Sequence, residues 1–480
     1  MDNGKNQQGV MVVQETNTAD GREDVVSVDG SHHRKHRHHS SQHRHRSGKH
    51  HRHHSTPKKK ANPKVMWALV ISLAVLLAVA AAIYLITQID RLGKQNQLQS
   101  DISAILSDND IPAGVKEAAL AVVEKAISHD DERIFRFMVS ADAHQNNDNV
   151  LITKGTRELG QAQGEILKLI GVDFVAFLGD AAWSSSSNTV EEVTRQIQVF
   201  KQLAMDSVAG ENQIWCEGNH DDAVYAHQSN PAVAKLGTAE MYAYFYSENT
   251  DVVYDPEHYM DGYCYKDFSN QKVRVICLNT EQGDGEGSEM VGYQLKWFAE
   301  TALNMEGKED WSVITMAHHP LDYGMASLSL DGVNIMDAFI KGETFYYTTV
   351  DGTVISIDYT DKNCQYVGHF HGHTHAFSVV RMQKYVTDEN GEVVYEAINA
   401  WEIGIPNACY VRNNQNLNNS NPNIARFSTP VTYEKEDVAG KRTTFDLVTL
   451  CLEEKKIYLD CYGAGVDRVV SYAPQSFAEE

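Results

Sequence analysis

The sequence predicts an α/β domain behind a single apolar span, and three observations carry that expectation. From residue 133 onward, strand-like and helix-like segments alternate. Residues 65–88, VMWALVISLAVLLAVAAAIYLITQ, form a run of 24 without a charge. Polar residues able to bind metals collect where the strand-like segments end. Alternation of this kind points to buried, largely parallel strands covered by helices.

Taken in order, residues 1–64 read as a disordered tail rich in His, Arg and Lys. Its segment 31–54 holds 11 histidines, five arginines and two lysines and has no apolar side chains from which to build a core. The plain expectation for such a run is a solvated tail. The functional alternatives are attraction to anionic lipid, strengthened as histidines protonate below about pH 6.5, and loose metal binding. Residues 65–88 exceed the roughly 20 needed to cross a bilayer as a helix. Lys58, Lys59, Lys60 and Lys64 stand just before the run, so the positive-inside bias puts the N-terminus in the cytosol. The expectation is a single-pass protein of the cell membrane, in contact with lipid through residues 65–88, whose remainder is extracytoplasmic. The lesser alternative is a cleavable signal peptide, for which AVAAA (78–82) offers a cleavage-like site. Such a peptide would normally begin nearer residue 1 and have a shorter apolar core.

Residues 89–130 read as a helical stalk or linker containing VKEAALAVVEKAIS (115–128). The domain proper is expected over 131–475. Its strands are RIFRFMVS (133–140), VDFVAFLG (172–179), NQIWCEG (212–218), VRVICLN (273–279) and WSVITMA (311–317). Its helices are TRELGQAQGEILKLI (156–170), VEEVTRQIQVFKQLAM (190–205) and GYQLKWFAETALNM (292–305). Near the end, TTFDLVTLCLEEKKIYLDCY (443–462) reads as two strands about a charged turn.

Charge and cysteine content exclude some functions. Residues 1–64 carry 13 Lys and Arg against 6 Asp and Glu, a net of +7, so the overall −23 leaves −30 for the rest. A body that acidic is a poor nucleic-acid surface, which needs clustered Lys and Arg. The seven cysteines show no C-x-x-C spacing, which argues against a zinc finger or a dithiol redox motif. No G-x-S-x-G elbow or P-loop is present.

What remains is the set of strand ends. These are ADAH with Asp142 and His144, Gly179–Asp180, GNHD with Asn219, His220 and Asp221, AHHP with His318 and His319, and GHTH with His373 and His375. Ligands of open α/β sheets gather beyond the carboxyl ends of strands. Gly-Asp alone is worthless as a signal; all five in this order are specific.

This order resembles the calcineurin-like metallophosphoesterase family, over roughly residues 133–470, including QLKWFAETAL and YGAGVDRVVSY. The resemblance implies a β-sandwich of two mixed sheets flanked by helices. It also implies hydrolysis of phosphomonoesters or phosphodiesters by metal-activated water at two divalent ions. Asp142, His144 and His375 would hold one ion, and Asn219, His318 and His373 the other. Asp180 would bridge them, since two nearby cations need an anion between them. His220 would be the catalytic histidine outside the ligand set, with Asp221 orienting it by accepting its other N–H. Mn, Fe, Zn and Co suit such ligands about equally. The family's purple acid phosphatases place tyrosine three residues after the Gly-Asp aspartate; here Trp183 stands there, which argues against an iron-tyrosinate enzyme.

GHFHGHTH (368–375) contains G-H-x-H twice. The second copy is preferred because CQYVGHF then supplies the strand and Gly372 the turn. His369 and His371 are then either neighbours of the site or structural, and His319 is expected not to be a ligand. The alternative function is a catalytically silent metal-binding surface module with the same fold.

Overall fold

The computed structural model describes residues 63–107, 110–282, 289–322, 327–387, 391, 393–409 and 435–472. The expected tail, up to residue 62, and the expected domain end at 475 lie outside these. The described residues divide into two units, between Asn96 and Gln97. Helix α1 (Pro63–Ser107) contains one stretch, Val70–Asp90, long and apolar enough to cross a membrane. Within Val70–Asp90 the large apolar side chains are exposed, Leu76 and Ile86 each at 66%.

Helix α2 (Ala113–Ser128) corrects the stalk boundary. Instead of standing free, it buries Val115, Ala119, Val122, Val123 and Ala126 in the core of the second unit. That spacing is one apolar face of a helix. The sequence shows the face but not what covers it.

The strands are β1 (Ile134–Ser140), β2 (Phe174–Leu178), β3 (Gln213–Cys216), β4 (Val253–Tyr254), β5 (Cys264–Phe268), β6 (Val273–Cys277), β7 (Trp311–Ala317), β8 (Thr344–Thr348), β9 (Val354–Asp358), β10 (Cys364–His371), β11 (Val379–Thr387), β12 (Val393–Gly404), β13 (Thr444–Cys451), β14 (Lys456–Gly463) and β15 (Arg468–Ser471). They form a six-stranded sheet, β15-β14-β13-β1-β2-β3, a seven-stranded sheet, β11-β12-β10-β7-β6-β5-β4, and the pair β8-β9. Both large sheets are mixed. Each contains a parallel run (β1-β2-β3 and β6-β7-β10-β12), as the alternation predicts. The remaining pairings are antiparallel: β1-β13-β14-β15 in the first sheet, β4-β5-β6 and β11-β12 in the second.

The sheets pack face to face because strand side chains alternate. From β1, Phe135, Phe137 and Val139 enter the core shared with Val275, Ile314 and Phe370 of the other sheet. Met138 points the other way, into the core shared with α2 and with helix α3 (Val150–Leu169). Asn149 caps α3 by accepting from the backbone N–H of Leu151 and Ile152. Helix α4 (Val190–Phe200) begins with a Thr189–Glu192 capping box. The opposite face of the second sheet is covered by helices Gly292–Trp297 and Ser327–Lys341. The parallel strands end on one side, which brings the five motifs to one edge.

Candidate metal centre

Each motif follows a strand: Asp142 and His144 follow β1, Asp180 follows β2, Asn219 follows β3, His318 follows β7, and His373 and His375 follow β10. The backbone there leaves ordinary space. Asp142, His144, Asp180, His373 and His375 have φ of 52°, 47°, 58°, 58° and 53°. Nine non-glycine residues among those described have positive φ, so five expected ligands make up the majority. Each such residue costs on the order of 1–3 kcal/mol and persists only where its surroundings hold it. Gly372 ends β10 because a Cβ there would come within 2.8 Å of Asp142 Oδ2 and Ala141 Cβ.

Two groups of donor atoms result, Asp142–His144–Asp180–His375 and His318–His319–His373, each with its atoms within 4.8 Å of one another. In the first, His144 Nε2 lies 2.9 Å from His375 Nε2, and His375 Nε2 is 3.3 Å from Asp142 Oδ1. In the second, Asn219 Oδ1 lies 2.9 Å from His318 Nε2 and 3.0 Å from His373 Nδ1. Asp180 joins the groups. Its Oδ2 is 3.7 Å from His144 Nε2 and 3.4 Å from His318 Nε2.

The donor chemistry fits divalent metal. Asp142 Oδ2 is a buried carboxylate oxygen with no hydrogen-bond partner among the described residues, which is costly unless a cation meets it. Burial holds the His144 and His373 imidazoles well below the ordinary histidine value, keeping them neutral, the form that binds metal. His318 Nδ1 donates to Leu178 O at 2.7 Å, so Nε2 is the nitrogen left to meet a cation, which would displace its proton. Burial opposes charge on both Asp180 and His318, yet their mutual attraction wins. The carboxyl is held well below its usual range and the imidazole is raised.

His220 lies beside this centre but outside it. Its backbone N–H donates to Asp180 Oδ1 at 2.9 Å, and its ring Nδ1 donates to Ser184 O at 2.8 Å. Trp183 stacks on the imidazole at 5.0 Å and 15°, and Tyr225 flanks it at 4.9 Å. Asp221 does not orient His220 as expected. Its carboxylate accepts instead from the backbone N–H of Asp180, Ala182 and Gly218, each at 3.0 Å. It staples the turns after β2 and β3 together. Burial, with the Asp180 charge beside it, pushes Asp221 up to about 8.

His371 lies within β10 and outside both donor groups. His369 is structural: its Nδ1 meets Thr315 Oγ1 at 2.9 Å and its Nε2 donates to His319 O at 3.2 Å. Burial pushes it down to about 4. His319 enters the second donor group, against expectation, with its Nδ1 2.5 Å from Glu281 Oε1. The sequence also gave no sign of Tyr225, whose hydroxyl accepts from Asn219 Nδ2 and so turns Oδ1 toward the two histidines. No spacing rule links residues 219 and 225.

The calcineurin-like phosphoesterase family model matches residues 135–377, just over half the chain. The chain belongs to the calcineurin-like phosphoesterase family. Members of this family hydrolyse phosphoester bonds and typically bind divalent metals. A search of curated proteins finds no match. Among solved structures, it is similar to the NAD nucleotidase NadN of Haemophilus influenzae, at 11% identity and a TM-score of 0.29. That likeness covers 70% of this chain and 49% of the nucleotidase, so the chain spans about half of that protein's length. The phosphoesterase match ends at Phe377, before β11 to β15 complete the sheets.

Proposed function

We propose that this phosphoesterase is anchored in the cell membrane by residues 65–88, with residues 1–64 cytosolic and the domain from about 131 to 475 outside. In this reading it hydrolyses phosphomonoesters or phosphodiesters at a pair of divalent metals. Asp142, His144 and His375 hold one ion, Asn219, His318 and His373 the other, and Asp180 lies between. The observation that carries this is the single Asp180 oxygen facing a histidine of each donor group. Divalent cations in such a site supply Lewis-acid activation of water and offset charge on the phosphoryl group. The chain's own residues do the rest. Neutral imidazoles and carboxylates fix the cations, and Ser184 O orients the His220 ring through Nδ1. In the imidazolium, with Nδ1–H on Ser184 O, Nε2–H faces the ester and gives its proton to the leaving oxygen, leaving the neutral ring, or offsets the charge there.

The full-length protein in detergent, given Mn²⁺, is expected to hydrolyse 4-nitrophenyl phosphate or bis(4-nitrophenyl) phosphate and to bind two ions per chain by elemental analysis. Two ions without turnover of any phosphoester would favour a silent binding module. A chain that binds none would end the reading.

Tyr225→Phe provides a narrower check. Loss of the hydroxyl frees the Asn219 amide to rotate while the ring still packs on His220. Mn²⁺ binding at one of two sites should weaken by about 10- to 100-fold, as when other ligand-orienting partners are removed. Calorimetric titration reads this directly, and unchanged affinities would show that Asn219 needs no such support.

A further inference from the structure

The turn carrying His373 and His375 is folded back in a conformation that neither residue favours, so something behind it must hold it. The family match stops at Phe377, and the support comes from the far end of the chain. We propose that Arg468 is a positioning residue that clamps the His373–His375 turn from behind through the carbonyls of Ser378 and Gly404. The inference rests on the proposed metal centre.

Arg468 opens β15 and is 6% exposed. Its Nη1 donates to Gly404 O at 2.6 Å and to Ser378 O at 3.4 Å. Its Nη2 donates to Asp446 Oδ2 on β13, which neutralises the buried charge. The guanidinium lies 5.0 Å from the Phe377 ring. Ser378 O also accepts from Gly404 N at 2.9 Å, and His371 O accepts from Ile405 N at 2.8 Å. The loop leaving His371 and returning at Ser378 is thus closed across Gly404. The approach is so close that a Cβ on Gly404 would lie 2.1 Å from Ser378 Oγ. One guanidinium therefore spans the return of the histidine turn and the strand end beside it. A planar fork with several donors does this in a way a single ammonium cannot.

Removing Arg468 alone would strand the Asp446 carboxylate in the core, so the test removes both charges. Asp446→Asn/Arg468→Gln keeps similar volumes and polar groups. Its control is Asp267→Asn/Arg274→Gln, which removes the pair that Arg274 on β6 makes with Asp267 at 2.7 and 2.9 Å. Full-length wild type, both pairs and Arg468→Lys are titrated with Mn²⁺ in a calorimeter, and thermal unfolding is followed in parallel. The clamp predicts Mn²⁺ affinity at one site lower by about tenfold or more in the Asp446/Arg468 pair. The control pair should lose thermal stability yet bind Mn²⁺ as the wild type does. Arg468→Lys, which keeps a charge against Asp446, should fall between, and it carries the test if the double variant does not fold. Wild-type affinity in the Asp446/Arg468 pair or in Arg468→Lys, or equal weakening in the control, would overturn the clamp. A wild type that binds no Mn²⁺ would overturn the metal centre and the clamp together.

Discussion

Asp180→Asn is expected to lower turnover about a thousandfold and to leave less than two metal ions bound per chain, in a protein that still folds. Each part of that result has a separate cause. The amide keeps the volume of the carboxylate and an oxygen to accept from the His220 backbone N–H, now 2.9 Å from Oδ1. The Asp180 backbone N–H still reaches Asp221 Oδ2, so the strained turn keeps its staple. What disappears is the negative charge facing His144 on one side and His318 on the other. Two cations held close together repel, and without an anion between them the second binds poorly. Lewis-acid catalysis contributes several kcal/mol of transition-state stabilisation, and each 1.36 kcal/mol is a tenfold change in rate. Elemental analysis and kcat for one aryl phosphate suffice to check this. Full metal content with wild-type kcat in Asp180→Asn would refute the bridging role.

Much of this centre was legible in the sequence because the chemistry constrains residue type. Asp, Asn and His must stand at strand ends to gather at one edge, and apolar runs such as VDFVAFLG and WSVITMA announce those strands. Gly372, which the sequence marks as the turn after CQYVGHF, sits where a Cβ would meet Asp142. Roles that depend on tertiary contact were not legible. Asp221 neighbours His220 in sequence, but the turn points its carboxylate at three backbone N–H groups. The small β8-β9 pair was also hidden. β8 alternates between exposed and half-buried residues, so TFYYT lacks the contrast of a strand with one dry face. α2 displayed its apolar face plainly, yet nothing local says that the domain's own core lies over it.

The second large effect expected is at His220, and its size depends on the substrate. His220→Ala should keep both metals, because the ring lies outside the donor groups, and should lose about 10²- to 10³-fold in kcat on an alkyl phosphate. Ser184 O holds Nδ1, so only Nε2 is left to serve the leaving oxygen. Trp183 and Tyr225 flank the ring, so few orientations remain and the nitrogen is held where it acts. An alkoxide is a poor leaving group and needs that proton; nitrophenolate leaves without it. If His220 is a proton donor, the loss on 4-nitrophenyl phosphate should therefore be smaller than on the alkyl ester by a factor of about ten or more. Equal losses on both esters would show that the imidazole offsets phosphoryl charge instead. Loss of metal in His220→Ala would place the residue inside the ligand set, because the hydrogen bond from its backbone N–H to Asp180 survives the substitution.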